Sequence, residues 1–384
     1  MRIKKNIPIY SILFVSLFIL PAKAMAYRMG DFEVLPFFSG AGKYDTNVLQ
    51  TNTGRIRDYA TDLTAAVSVT HESKQQMFGL TGSLSEEIYA RERSLNNTSE
   101  NIDLSYARQF DRNTTFNAAN TFNHTDTPTN FADQFGRTSG RYQYFLNRFG
   151  MGYGFDVSRQ FSVAANYASE IYDPALRGLA SSLQNAISLR GDYVVTSTTS
   201  LVGVYGFSRR SFDPGGKVTA NTFDGGVREY FSSKTYVDLL GGASASSGVD
   251  GKRSTTPRYE ATLSHEITGK TRASASLTWR TDTNYSSSDL FRSSRASVSL
   301  SHRFYSRLSG GAELFHGQGK YTDLGIQDKF NGASGNVEYA LTPDADIFGS
   351  STYSRTSSNL ASRAYARAIV SFFTNIASGE SGDQ

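Results

Sequence analysis

The chain has 384 residues, with 39 Lys and Arg against 35 Asp and Glu, 34 Gly, 8 Pro, 22 Tyr, 26 Phe and no Cys. Without Cys there is no disulfide, no thiolate metal site and no lipidated cysteine. The aromatic content argues against bulk disorder, and only the N-terminus approaches the apolar run of roughly 20 residues that a membrane helix needs.

Residues 1–26 read as a secretory signal peptide. Arg2, Lys4 and Lys5 form a basic start, Ile9 to Leu20 is apolar, and Ala24-Met25-Ala26 is a small-x-small cleavage site. The apolar run is too short to span a membrane as a helix. The leader carries Arg2, Lys4, Lys5 and Lys23 and no acid, so the mature chain holds 35 basic (39 less 4) and 35 acidic residues. A formal charge of zero removes the electrostatic argument for nucleic-acid binding.

From residue 30 onward the pattern is uniform. Segments of about ten residues alternate apolar and polar side chains, each ended by turn residues, which is the signature of half-buried strands. Leu63, Ala65, Val67 and Val69 alternate with Asp62, Thr64 and Ser68, and Ala273, Ala275, Leu277 and Trp279 with Arg272, Ser274 and Arg280. The connections also alternate. Tight turns are predicted at 111–113, 158–159, 196–199, 232–234, 268–270, 305–307 and 342–344. Longer polar loops are predicted at 45–58, 90–98, 124–138, 173–183, 210–218, 246–256, 282–290, 320–328 and 356–361. Short connections on one side and long ones on the other are the asymmetry of an outer-membrane barrel. The expected fold is therefore all-β: a transmembrane antiparallel up-and-down β-barrel of about eighteen strands, with short periplasmic turns and long extracellular loops. It spans 27–373, from a first strand Val34–Lys43 to a last strand Arg363–Phe373, followed by a short polar C-terminal tail, 374–384. A soluble sandwich or propeller also alternates, but the apolar face here is thin and never doubles into a two-sided core.

Aromatic residues recur at strand ends. Phe110, Phe155, Tyr193, Phe231, Phe304 and Tyr339 lie near short turns, and Tyr44, Tyr89, Tyr172, Phe207, Tyr285 and Tyr321 near long loops. Two girdles at the lipid headgroups are the expectation.

No catalytic, cofactor or metal site is expected. His71, His124, His265, His302 and His316 lie in no zinc-binding spacing. Gly40-Ala41-Gly42-Lys43 lacks the earlier glycine of a phosphate loop, and Arg190-Gly191-Asp192 falls inside a strand. The chemistry is that of the lumen. If apolar positions face lipid, Arg258, Arg272, Arg280, Arg295, Arg303, Arg363 and Arg367 face inward, with Glu260, Glu266, Asp282 and Glu338 beside them. An arginine on the lipid face near the midplane costs about 2–4 kcal/mol, which favours this assignment. Such a wall either prefers anions or is a structural salt-bridge lattice, because Asp62, Asp103, Asp192 and Asp238 face inward on other strands. The long segment 124–138 is the candidate constriction.

One stretch is more specific. Lys43-Tyr44-Asp45-Thr46-Asn47-Val48, a polar loop, Asp58-Tyr59 and then Leu63 to Val69 resembles the opening of the β-barrel porin family found beside exopolysaccharide biosynthesis genes. The strand number and the arginine-bearing lumen are also similar to the alginate-exporter type of barrel, without a shared motif. The resemblance implies an outer-membrane conduit for export of a secreted exopolysaccharide in a Gram-negative cell. It also implies the partners of such a conduit: outer-membrane lipid, the barrel assembly machinery, periplasmic polysaccharide-export proteins, an inner-membrane co-polymerase and the polysaccharide itself. A general or anion-preferring diffusion porin and a non-conducting adhesive barrel are the alternatives. One departure stands out. The last predicted strand closes on Phe372-Phe373, where such barrels usually end, and eleven further residues follow.

Overall fold

A computed structural model describes residues 27–126, 142–248, 251–283, 289–322, 324–342, 345–360 and 364–377. The predicted leader lies outside the described residues, as do most of 124–138, Arg363 and the end of the tail. A short strand, β1 (Tyr27–Met29), precedes eighteen long ones. These are β2 (Phe32–Asp45), β3 (Asp58–Glu72), β4 (Gln76–Tyr89), β5 (Asn97–Gln109), β6 (Thr114–Thr125), β7 (Tyr144–Asp156), β8 (Phe161–Pro174), β9 (Ser181–Val194) and β10 (Thr199–Asp213). They continue as β11 (Lys217–Ser232), β12 (Thr235–Ser247), β13 (Arg253–Thr268), β14 (Thr271–Thr283), β15 (Leu290–Tyr305), β16 (Leu308–Tyr321), β17 (Gln327–Thr342), β18 (Ala345–Ser358) and β19 (Tyr365–Ala377).

Each long strand pairs antiparallel with its sequence neighbours, and β19 returns to β2, with Ile369 opposite Asp45 and Ala377 opposite Phe37. The sheet is closed. Closure leaves no edge of unpaired N–H and C=O groups, which hydrocarbon could not satisfy. β1 folds back on the foot of β2, Tyr27 opposite Val34 and Met29 opposite Phe32, and so continues the edge that β19 leaves below Phe37.

Alternation places the side chains. On β3, Leu63 and Val67 are exposed outward, and Asp62, Thr64 and Ser68 turn to the interior. On β15, Val298 and Leu300 stand outside, and the Ser297 and Ser299 hydroxyls meet Ser276 and Ser274 of β14 inside. An outer face so exposed to solvent is stable only in an apolar medium. The girdle at the short-turn end is present: Phe110, Phe155, Tyr193, Phe231, Phe304 and Tyr339 are all outward and exposed. The expected second girdle is only partly present: Tyr44 stacks on the exposed, outward Tyr59, with ring centroids 4.7 Å apart. Tyr89, Tyr172 and Tyr321 are each 1% exposed and point inward. Their parity explains it, since Tyr89 shares its face with Glu87, and Tyr321 with Phe315 and Glu313. Phe207 remains outward, and Tyr285 lies outside the described residues.

Where the connections are described, they follow the sequence reading with a few differences, among them these. An eighth short turn, at 73–75, was not anticipated; there the Gln76 N–H donates to Ser73 Oγ (3.2 Å). The expected loop 210–218 shrinks to 214–216, because β10 and β11 stay paired up to Ser211 and Lys217. The last strand runs to Ala377, four residues into the expected tail, because Thr374 and Ile376 still find Gly40 and Phe38 on β2.

Candidate functional site

The inner wall is the surface on which any solute chemistry would occur. Much of it is hydroxyl and amide. Cross-strand pairs include Thr64 with Ser85 (2.8 Å), Ser68 with Thr81 (3.1 Å), Ser274 with Ser299 (2.7 Å) and Ser276 with Ser297 (2.9 Å). Each pair satisfies part of its own bonding capacity and leaves the rest for water or solute.

Most inward charges are closed on one another. Lys43 bridges Asp62 (3.7 Å) and Glu87. Glu170 holds both Arg148 (2.8 Å) and Arg210 (2.6 Å), and Arg210 also donates to Ser182 (2.9 Å). Arg190 pairs with Asp192 (2.7 Å) and Arg228 with Asp238. Among the arginines singled out from sequence, Arg258 pairs with Asp224 (3.2 Å), Arg295 with Glu313 (3.0 Å) and Arg367 with Asp45 (2.6 Å). Arg280 is also engaged. Glu260 and Glu338 occupy inward register positions on β13 and β17, and Asp282 is opposite Phe291 in the β14–β15 ladder. The structure therefore does not bring the arginines together as one ladder; it distributes them among acids on other strands. Lys43, Glu87, Arg148, Glu170, Arg210, Asp224 and Glu313 were not among the sequence candidates. Inward parity on every strand was the signal that would have found them.

At the loop end the wall is fastened and narrowed. The motif that carried the resemblance performs the fastening. Arg367 donates twice to Asp45 Oδ2 (Nε 2.9 Å, Nη2 2.6 Å), joining β19 to β2 with side chains 8% and 1% exposed. Asn47 donates to Ala366 O (3.2 Å) and Thr51 O (2.8 Å), and Thr46 Oγ1 accepts from the Ala368 N–H (2.9 Å). Val48 is fully buried with Ala60 and Tyr89. A second cluster joins Tyr142, Tyr144, Leu146 and Tyr172. In a third, Leu290 of β15 packs with Phe212 of β10 and Val218 of β11, strands four or more places away around the wall. A contact of that reach requires the loop end to fold inward. On β16 and β17, Phe330 and Phe315 lie over Gly317 and Gly332, where a Cβ would overlap the ring.

The short-turn end is different. A cavity of about 380 Å³ there is lined by Lys270, Arg272 and Arg303 with Glu266, Ser309 and Asn336. Neither the Arg272 nor the Arg303 guanidinium has a hydrogen-bond or ion-pair partner among the described residues. At the short turn 110–113, the Asn113 N–H (2.8 Å) and Thr114 hydroxyl (3.0 Å) donate to Asp111 and hold its carboxyl below the usual range.

Residues 251–374 match the family model described as "Putative beta-barrel porin 2". A comparison with curated protein sequences finds no match. The fold is similar to OccK2 (OpdF) from Pseudomonas aeruginosa, at a TM-score of 0.52 and 8% identity, covering 90% of this chain and 97% of that one. It is also similar to the FrpB iron transporter from Neisseria meningitidis (F3-3 variant), at 0.51 and 10% identity, covering 92% and 78%. At such identities the likeness concerns the fold. The closed eighteen-strand sheet, with its apolar exterior and charged interior, has the fold of an outer-membrane β-barrel, and its stretch 251–374 is similar to the porin family model.

Proposed function

We propose that the barrel is an aqueous outer-membrane channel that serves as the conduit for a secreted exopolysaccharide. The observation that carries this reading is the inner wall: hydroxyl and amide groups in cross-strand pairs, with charges mostly neutralised in place. Such a wall exchanges hydrogen bonds with a hydrated, hydroxyl-rich chain and offers few strong charges to hold it. Eighteen strands enclose a lumen wider than side chains fill. Chain supply would fall to a periplasmic export protein and an inner-membrane co-polymerase, the partners that the resemblance implies. Deletion of the gene tests this directly. Loss of secreted polysaccharide, restored by the wild-type gene, is the expected result, and unchanged secretion overturns the polymer reading.

A second reading, an anion-preferring diffusion porin, is favoured by Arg272 and Arg303, whose guanidiniums have no partner among the described residues. Small-solute uptake would then fall in the deletion strain while polysaccharide output stays level.

A further inference from the structure

We propose that Arg272 and Arg303 form a carboxylate-binding subsite at the periplasmic mouth, which receives acidic groups of the solute entering the barrel. The proposal rests on the channel reading and adds a substrate class to it: solutes bearing carboxylates, such as acidic sugars.

The register places the two guanidiniums together. Arg272 is opposite Ser301 in the β14–β15 ladder, so Arg303 is its diagonal neighbour on the same inward face. Diagonal neighbours lie about 7–8 Å apart, within reach of two long side chains. Like charges so placed repel, and elsewhere on the wall Arg148, Arg190, Arg210, Arg228, Arg258, Arg295 and Arg367 are each met by an acid. Here that is not so. Glu266 is directly opposite Arg272 in the β13–β14 ladder and lines the same cavity, yet forms no ion pair with it. Glu338 is occupied on the far side, accepting from Ser309 Oγ (3.4 Å). The cavity thus holds three cations, Lys270, Arg272 and Arg303, against one carboxylate.

A guanidinium presents its donors as a rigid fork that fits a carboxylate in two parallel bonds. Asn336 lines the cavity as a neutral side-chain donor for the remaining oxygen lone pairs. An acidic group bound there would relieve the repulsion further, since among the described residues no acid is ion-paired with either guanidinium. Position adds a second role. A positive focus at the entrance raises the local concentration of anions and their rate of entry.

The test uses the refolded mature barrel in two assays. Isothermal titration in detergent measures binding of glucuronate, with glucose and inorganic phosphate as the comparison probes. A planar bilayer measures potassium chloride conductance and its block by the same compounds added on the periplasmic side. Wild type is expected to bind glucuronate and be blocked by it, with no response to glucose and a weaker one to phosphate. R272Q/R303Q should weaken the glucuronate response by roughly tenfold or more, as expected for loss of charge-assisted hydrogen bonds. R272K/R303K keeps both charges and should preserve anion preference in the reversal potential while losing the discrimination between glucuronate and phosphate. Equal responses of wild type and R272Q/R303Q, or a phosphate response equal to that of glucuronate, overturn the subsite. A barrel that binds glucuronate but passes no current would leave the subsite standing and remove the channel. A conducting barrel indifferent to glucuronate does the reverse.

Discussion

The two ends of the barrel are built on opposite plans. At the loop end aromatic side chains turn inward, with Tyr89, Tyr172 and Tyr321 nearly fully buried, and the Asp45–Arg367 pair is sealed from solvent. At the short-turn end aromatics turn outward into a lipid-facing girdle, and Arg272 and Arg303 stand in an open cavity. The loop end therefore stores the stability of closure, and the short-turn end keeps the charge available for solutes. Burial decides which. A charge pair withdrawn from water becomes costly to break, whereas exposed charges contribute little to stability and remain free to bind.

Breaking the buried pair should have the largest effect. Asp45→Ala or Arg367→Ala leaves one buried charge uncompensated, a loss of about 3–5 kcal/mol. Urea unfolding, followed by heat-modifiable gel mobility, should show a large drop in midpoint for either single variant. The double variant should recover part of it, and two additive losses would refute the latch.

Leu290→Ala comes next. It removes the contact that spans β15 to β10 and should cost about 2–5 kcal/mol. If that cluster narrows the mouth, single-channel conductance should rise as well; unchanged conductance would place the narrowing elsewhere. Gly317→Ala forces a methyl against the Phe330 ring and should cost about 1–3 kcal/mol. The companion change F330L, which vacates that space, should soften the penalty.

The smallest effect concerns acid. Asp111 is held below its ordinary value by bonds from Asn113 and Thr114. A depressed carboxyl contributes stability that is fully present above the unfolded pKa of about 3.9 and is lost as pH falls through the lower folded value. Hydrogen exchange at the 110–113 turn should therefore speed up only below about pH 4, and Asp111→Asn should remove that pH response.

How much of this was legible in the sequence follows from the same contrast. Alternation is a local property, so strands such as β3 and β14 and the outward girdle could be read from spacing alone. Burial at the loop end was not, because it comes from residues far apart in sequence: Leu290 with Phe212, Arg367 with Asp45. Tyr89 and Tyr321 were misread because nearness to a loop was used in place of parity with Glu87 and Glu313. The 43–48 motif was recognised as a resemblance, but its physical role appears only when β19 arrives beside it. The inward face of Arg272 was deducible, whereas the absence of an ion pair to its guanidinium among the described residues was not, since Glu266 sits opposite it in register without pairing with it.

The central claim is a continuous watery path through one closed sheet. Single-channel recording of the refolded mature barrel in a planar bilayer tests it most directly. The account predicts discrete, long-lived conductance steps. A correctly folded, heat-modifiable barrel that inserts and yet passes no ions at any applied voltage would contradict it.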